Sequence, residues 1–206
     1  NTHYELALKL KPNDVDVFFS LGVSYGKLNQ YKSAIKYFKK VIKFRPSDAL
    51  AYCNLGNIYF DHGEDYTAIK YYKYTLELNP NDAEAHCNLG IIFLNQGLIS
   101  KSISCFKRSL EIYPNHINVL SNLGNAYQKL GKIACAFFYY ERALSNDPEF
   151  IEGRFNLSLL QLSNGFLDEG FKNYESRWEY EKFTSHRRQF SIPRWQGESL
   201  QEKNIL

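Results

Sequence analysis

Asn54, Asn88, Asn122 and Asn156 recur at intervals of 34 residues, and Ser20 holds the same place one interval earlier. Asn57 and Asn125 stand three residues after two of these amides. A primary amide carries two donors and an acceptor, the complement of the N–H and C=O of a peptide group. A row of such amides on one face pairs with the main chain of an extended polypeptide and ignores its side chains. Asn is a mediocre helix former, so four in one register need a reason beyond propensity. Two reasons are open: contact with a partner's backbone, or hydrogen bonds between neighbouring elements of the same chain. Phe19, Phe60, Leu94 and Phe155 fall beside the amides, with Leu162, and would form apolar pockets between them. The place just before each amide is held by Phe19, Cys53, Cys87, Ser121 and Phe155, never by Lys or Arg. A clamp for a terminal carboxylate requires point charges and is not expected here.

The remaining chemical signals resolve to structure. Gly22-Val-Ser-Tyr-Gly26-Lys27 looks like a phosphate loop, but it has one residue too few between its glycines and ends in Leu28 instead of Ser or Thr. Asn156-Leu-Ser158 is a glycosylation sequon inside a helical stretch of a chain read as cytoplasmic. His3, His62, His86, His116 and His186 show neither HxxxH spacing nor a partner for a triad. Glu64-Asp65 open a helix, where acidic residues favour the helix dipole. Cys53, Cys87, Cys105 and Cys135 form no CxxC pair and have no His at metal-ligand spacing, so they read as thiols of a reducing cytosol. No catalytic residue, metal ligand or cofactor is expected.

Composition narrows the class further. The 206 residues carry 25 Lys+Arg and 22 Asp+Glu, a net charge of +3, with 44% apolar and 16% aromatic residues. That supports a packed core and excludes wholesale disorder. So small a net charge is not a nucleic-acid footprint. No apolar run approaches the ~20 residues of a membrane span. Met is absent and the chain opens at Asn1, which reads as a cut from something longer.

The elements that position the amides follow from the same period. Pro12, Pro46, Pro80, Pro114 and Pro148 are 34 residues apart, as are Leu21-Gly22, Leu55-Gly56, Leu89-Gly90 and Leu123-Gly124, with Leu157-Ser158 continuing the series. Over 83–116 the spacing predicts a helix from Ala83 to Gln96, a break at Gly97, a second helix from Ile99 to Ile112, and a stop at Pro114. Each helix of ~14 residues is ~21 Å long. Gly90 reads as a close approach of two helices, with Ser102 the small residue opposite it. One hairpin cannot bury its aromatic face alone, so the hairpins must stack. Breaks are expected near 29–30, 45–48, 63–64, 79–82, 97–98, 113–116, 131–132, 147–150 and 165–166, with ten antiparallel helices over 15–180.

Tyr52, Leu55, Gly56, Tyr59, Gly63, Ala68, Tyr72, Leu76 and Pro80 in order resemble the tetratricopeptide repeat. The resemblance implies an all-α fold, a right-handed superhelical α-solenoid of stacked antiparallel helix pairs. In that register residues 1–14 are the second helix of a truncated repeat. Full repeats follow at 15–48, 49–82, 83–116 and 117–150, with a degenerate fifth at 151–180. The departures are mild: His86 and Leu120 fill the aromatic slot, and Val41, Thr75 and Ser109 replace a small Ala. The first helix of each repeat then lines the concave side. The row of Asn is similar to the asparagine ladder in the array of O-linked N-acetylglucosamine transferases, which implies binding of extended protein segments.

After about residue 180 the rhythm stops. Tyr174-Glu175-Ser-Arg177-Trp178, Pro193-Arg-Trp195-Gln-Gly197-Glu198 and Lys203-Asn-Ile205-Leu206 resemble the junction at which bacterial tetratricopeptide arrays run into a two-Rossmann glycosyltransferase domain. Residues 181–206 are accordingly read as a connector and the start of a missing domain. Gln201-Glu202 departs from the small-residue turn usual before the Lys203 strand. Arg187 and Arg188 read as a solvated linker in preference to a donor-phosphate contact, and Trp178 is expected to sit on the last helix of the array and to be packed. Two functions are carried forward. The first is an arm that recruits substrates or partners to a larger glycosyltransferase, holding extended polypeptide on its concave face. The second is a stand-alone scaffold, with residues 181–206 a capping tail. Self-association through the open ends of the array is compatible with both, and neither involves nucleic acid or membrane.

Overall fold

The structure, a computed structural model, describes residues 4, 6 and 9–180. Beyond the helical Tyr4, Leu6, Lys9 and Leu10, ten α-helices follow one another among the described residues: α1 Val15–Lys27, α2 Tyr31–Phe44, α3 Ala49–Asp61, α4 Asp65–Leu78, α5 Ala83–Asn95, α6 Ile99–Ile112, α7 Ile117–Lys129, α8 Ile133–Asn146, α9 Ile151–Ser163 and α10 Leu167–Tyr174. No strand occurs among the described residues. Each odd-numbered helix pairs with the even-numbered one after it, and each even-numbered helix packs on the next pair. The result is an all-α superhelical solenoid.

Local chemistry sets the boundaries. Asp14, Asp48 and Asp82 cap α1, α3 and α5, their carboxylates accepting from N–H groups of the first turn. Within each pair the chain reverses through a left-handed residue, Gly63, Gly97, Gly131 or Gly165, and in the first pair through Asn29 at φ 56°. That conformation favours Gly and tolerates Asn. Each of α2, α4, α6 and α8 stops two residues before a proline, and the residue between, Arg45, Asn79, Tyr113 or Asp147, leaves the helical region.

Packing departs from expectation at one contact. The residue across from Gly90 is Phe106 and not Ser102: a Cβ on Gly90 would lie 2.5 Å from the Phe106 ring. Phe38, Tyr72 and Tyr140 sit in the same way on Gly22, Gly56 and Gly124. All four rings are buried. Ser102 lies one turn before Phe106, and its buried hydroxyl has no partner. It shares its register with the buried Ala34, Ala68 and Ala136, so its role is to be small. A second recurrent pair joins the two helices of the first, second and fourth repeats. Tyr25–Tyr37, Tyr59–Tyr71 and Tyr127–Tyr139 stack with interplanar angles of 2°, 5° and 5°. In the fifth pair Gln161 and Asn173 take those places and exchange a 2.9 Å amide hydrogen bond.

First helices of neighbouring pairs touch, α1 with α3, α5 with α7, and α7 with α9, whereas second helices are held apart by them. The odd-numbered helices therefore line the inside of the curve. At the far end α10 does not reach Trp178 as an α-helix: Glu175–Trp178 form a 3₁₀ turn. Ser176 and Arg177 donate side-chain hydrogen bonds to the carbonyls of Asn173 and Tyr174, which offers the backbone a tighter alternative. Trp178 is half-buried, with the Arg177 guanidinium 4.3 Å from the centres of both its ring and that of Tyr174. Of the early helix, Tyr4 and Pro12 are described, while Ala7 and Leu8 lie outside the described residues. The connector expected over 181–206, with Arg187, Arg188, Trp195, Ile205 and Leu206, lies outside them as well. No described helix is long and apolar enough to cross a membrane.

Candidate functional site: a row of side-chain amides

Asn54, Asn88, Asn122 and Asn156 sit one per first helix on α3, α5, α7 and α9, and all four are half-buried. Asn54 donates from Nδ2 to the Leu50 carbonyl at 2.8 Å, and Asn88 from Nδ2 to Asn57 Oδ1 at 2.9 Å. Asn156 Nδ2 lies 3.5 Å from Ser121 Oγ, and the Asn122 amide takes no partner among the described residues.

The orientation of two rungs is fixed by their neighbours. A backbone carbonyl only accepts, so Asn54 must turn its nitrogen to Leu50. Glu84 likewise only accepts, and Asn57 Nδ2 donates to its Oε1 at 2.8 Å. Asn57 Oδ1 then receives both Asn88 Nδ2 and the Tyr72 hydroxyl, the latter at 2.8 Å. The carbonyl oxygens of Asn54 and Asn88 are left for something else. Asn54 also keeps one N–H, so it can both accept from and donate to a peptide group.

Asn57 and Asn125 have a different setting. Asn125 Oδ1 receives the Tyr140 hydroxyl at 2.5 Å, as Asn57 receives that of Tyr72. Where the ring is Phe, the amide is replaced by an apolar residue: Val23 precedes Phe38 and Ile91 precedes Phe106 by the same 15 residues. Burial pushes both Tyr72 and Tyr140 hydroxyls well above the ordinary tyrosine range, so they remain donors that need an acceptor. Reading the repeats against one another reveals this coupling, whereas reading down the Asn columns misses it.

The apolar neighbours are spread along the same helices. Phe19 meets Phe38 edge-on at 5.5 Å. Phe60 packs beside the core around Tyr72, and Leu94 beside the core around Tyr140. Phe155 lies between Tyr174 at 5.8 Å and Tyr180 at 5.1 Å. All four are half-buried, so each contributes part of its surface to the core and leaves part facing out. Leu50 and Leu159, on α3 and α9, are exposed apolar residues that composition did not single out. Cys53 and Cys87 are buried beneath the row, and burial with nearby Glu84 pushes the Cys87 thiol up to about 12 and that of Cys53 higher. They act as small apolar groups. The described residues hold no group of three or more His, Cys, Asp or Glu placed to bind a metal ion.

A family model described as TPR repeat matches residues 24–63 and 56–97, and one described as tetratricopeptide repeat matches residues 81–149. No curated protein matches the chain. Among solved structures, MamA protein is 25% identical with a TM-score of 0.69, covering 80% of this chain and 90% of that one. PilF of Pseudomonas aeruginosa is 20% identical with a TM-score of 0.72, covering 79% of this chain and 74% of that one. YrrB, described as a TPR protein with an unusual peptide-binding site, is 14% identical with a TM-score of 0.68, covering 84% and 89%.

Proposed function

The chain belongs to the tetratricopeptide-repeat family, a fold of interaction scaffolds, and we propose that it holds extended polypeptide along Asn54, Asn88, Asn122 and Asn156. The matched repeats are those of an interaction module. The observation that carries the proposal is the placement of one half-exposed amide per repeat on the inner helices, two with carbonyl oxygens free to accept a main-chain N–H. Each such hydrogen bond contributes ~0.5–1.5 kcal/mol net. Four rungs therefore reach roughly 2–6 kcal/mol, and a millimolar complex already needs about 4. Apolar anchors on Phe19, Phe60, Leu94 and Phe155 supply the remainder. YrrB's peptide-binding description accords with this use of the fold but, at its identity, bears on the fold alone.

A finer reading makes the array the recruiting arm of a larger cytoplasmic glycosyltransferase. Its support is the resemblance of Tyr174-Glu175-Ser176-Arg177-Trp178 and the residues after it to such junctions. A stand-alone scaffold, self-associating or not, accounts for the repeats equally well, and the coding sequence beyond Leu206 separates the two. The amide row is tested by selecting peptides from a random display library on the parent chain and measuring them on the variant with all four Asn changed to Ala. The expected result is an unchanged helical circular dichroism spectrum and a loss of at least tenfold in affinity, which corresponds to about 1.4 kcal/mol. Equal affinity for parent and variant would make the row purely structural.

A further inference from the structure

One second helix, α2, carries five lysines with no acidic residue of its own to balance them. Ion pairs are made by Arg45, His62, Arg108, Arg154 and Arg177, and among the described residues neither Lys39 nor Lys70 takes part in one. Between α2, α3 and α4 lies a cleft of about 360 Å³ lined by Lys39, Ile42, Tyr52, Lys70, Tyr71 and Tyr74. Tyr52 is two residues from Asn54, ~200° round a helix of 3.6 residues per turn, so the cleft opens away from the amide row.

The ring geometry defines what the cleft can hold. Tyr71 is stacked on Tyr59 at 5.3 Å, and Tyr52 is tilted against Tyr71 and Tyr74 at 6.4 and 5.6 Å. Lys70 Nζ lies over the Tyr74 ring at 5.9 Å. Tyr59 thus covers one face of Tyr71 and Lys70 one face of Tyr74, and ring edges, hydroxyls and the ammonium groups are what the cleft offers. Ring edges are the positive part of the aromatic quadrupole, hydroxyls and ammonium groups donate, and Ile42 supplies an apolar patch. No carboxylate lines this cleft, and Glu77 lines an adjoining one that shares Lys70 and Tyr74 and adds Lys73. A nucleic acid would need ring faces for base stacking. A carboxylate needs donors and positive edges.

We propose that this outer cleft is a second docking site, for an acidic polypeptide segment that sets carboxylates on Lys39 and Lys70 and an apolar side chain on Ile42. It is independent of the amide row. The test measures fluorescence anisotropy of the parent chain with a labelled peptide of alternating Glu and Phe and with its Gln-for-Glu counterpart. The Glu peptide should bind at least about tenfold tighter at low salt and weaken several-fold as salt is raised. Lys39→Glu with Lys70→Glu should abolish that preference, and Lys39→Gln with Lys70→Gln should reduce it. Both lysines are exposed, so the fold is checked simply by circular dichroism. The variant with four Asn→Ala changes should bind the Glu peptide like the parent. Equal binding of the two peptides would overturn the proposal. So would full affinity in the charge-reversed variant, or displacement of the Glu peptide by oligo-dT at equal concentration.

Discussion

Replacing Asn57 by Val removes the acceptor of a hydroxyl that has no route to water. Tyr72 is fully buried and its hydroxyl donates to Asn57 Oδ1 at 2.8 Å. Val is the residue that the first repeat carries at this place, where the ring beneath is Phe38. The shape is therefore tolerated by the fold, and the loss is one of polarity. An unsatisfied buried hydroxyl costs ~1–3 kcal/mol. For a chain of this size each kcal/mol moves the melting temperature by ~2–4 °C, so Asn57→Val should melt about 2–12 °C lower. Tyr72→Phe alone should cost ~0.5–1.5 kcal/mol, because Asn57 keeps Glu84 and Asn88 as partners. The double variant recreates the Val/Phe pair of the first repeat and should be more stable than Asn57→Val. Thermal melting of the four proteins by circular dichroism gives the coupling energy, expected at ~1 kcal/mol or more. Asn125→Val is the internal comparison: Gln128 Oε1 stands 3.2 Å from the Tyr140 hydroxyl as a second acceptor, so its loss should be smaller. Additivity of Asn57→Val and Tyr72→Phe within ~0.5 kcal/mol would refute the reasoning.

Glycines in the first helices should respond to Ala in opposite directions. A Cβ at Gly90 falls 2.5 Å from the buried Phe106 ring, so Gly90→Ala should destabilise by ~1–2 kcal/mol after its gain in helix propensity. Gly26 meets nothing within 4 Å, and Gly26→Ala should stabilise by ~0.5–1 kcal/mol in the same melting assay. Burial holds the Cys87 thiol at about 12 against an ordinary 9.0. The folded state then binds that proton more tightly than the unfolded state. This contribution is fully present below pH ~9 and is lost as pH rises toward ~12, which urea denaturation across that interval should record. At neutral pH Cys53 and Cys87 should react with N-ethylmaleimide far more slowly than the half-buried Cys105 and Cys135, as peptide mapping of the labelled protein would show.

Helix positions were readable because proline and glycine act locally. Pro46, Pro80, Pro114 and Pro148 end helices through sterics of the preceding residue, and Gly63, Gly97, Gly131 and Gly165 reverse the chain through a dihedral that other residues avoid. The partner of Gly90 was not readable in the same way. It depends on which residue of α6 leans across the hairpin, a matter of helix rotation that spacing alone leaves open. The ending of α10 was missed for a related reason, since Ser176 and Arg177 turn the last carbonyls toward side chains. In the site, the column of Asn54, Asn88, Asn122 and Asn156 was visible from spacing. The division of labour between that column and Asn57 with Asn125 depends on Tyr hydroxyls 15 residues away, and appears only when repeats with Tyr and repeats with Phe are set side by side.

The central claim is that the amide row reads main chain, and an N-methyl scan of a bound peptide addresses it most directly. A peptide selected on the parent chain is resynthesised with each backbone nitrogen methylated in turn, which removes one donor and leaves every side chain in place. Isothermal titration against the parent should show losses of ~0.5–1.5 kcal/mol at alternate positions, where N–H groups face the row. Those losses should disappear on the variant with Asn54, Asn88, Asn122 and Asn156 changed to Ala. Affinity that follows the side chains of the peptide and is indifferent to methylation of its backbone would contradict the account.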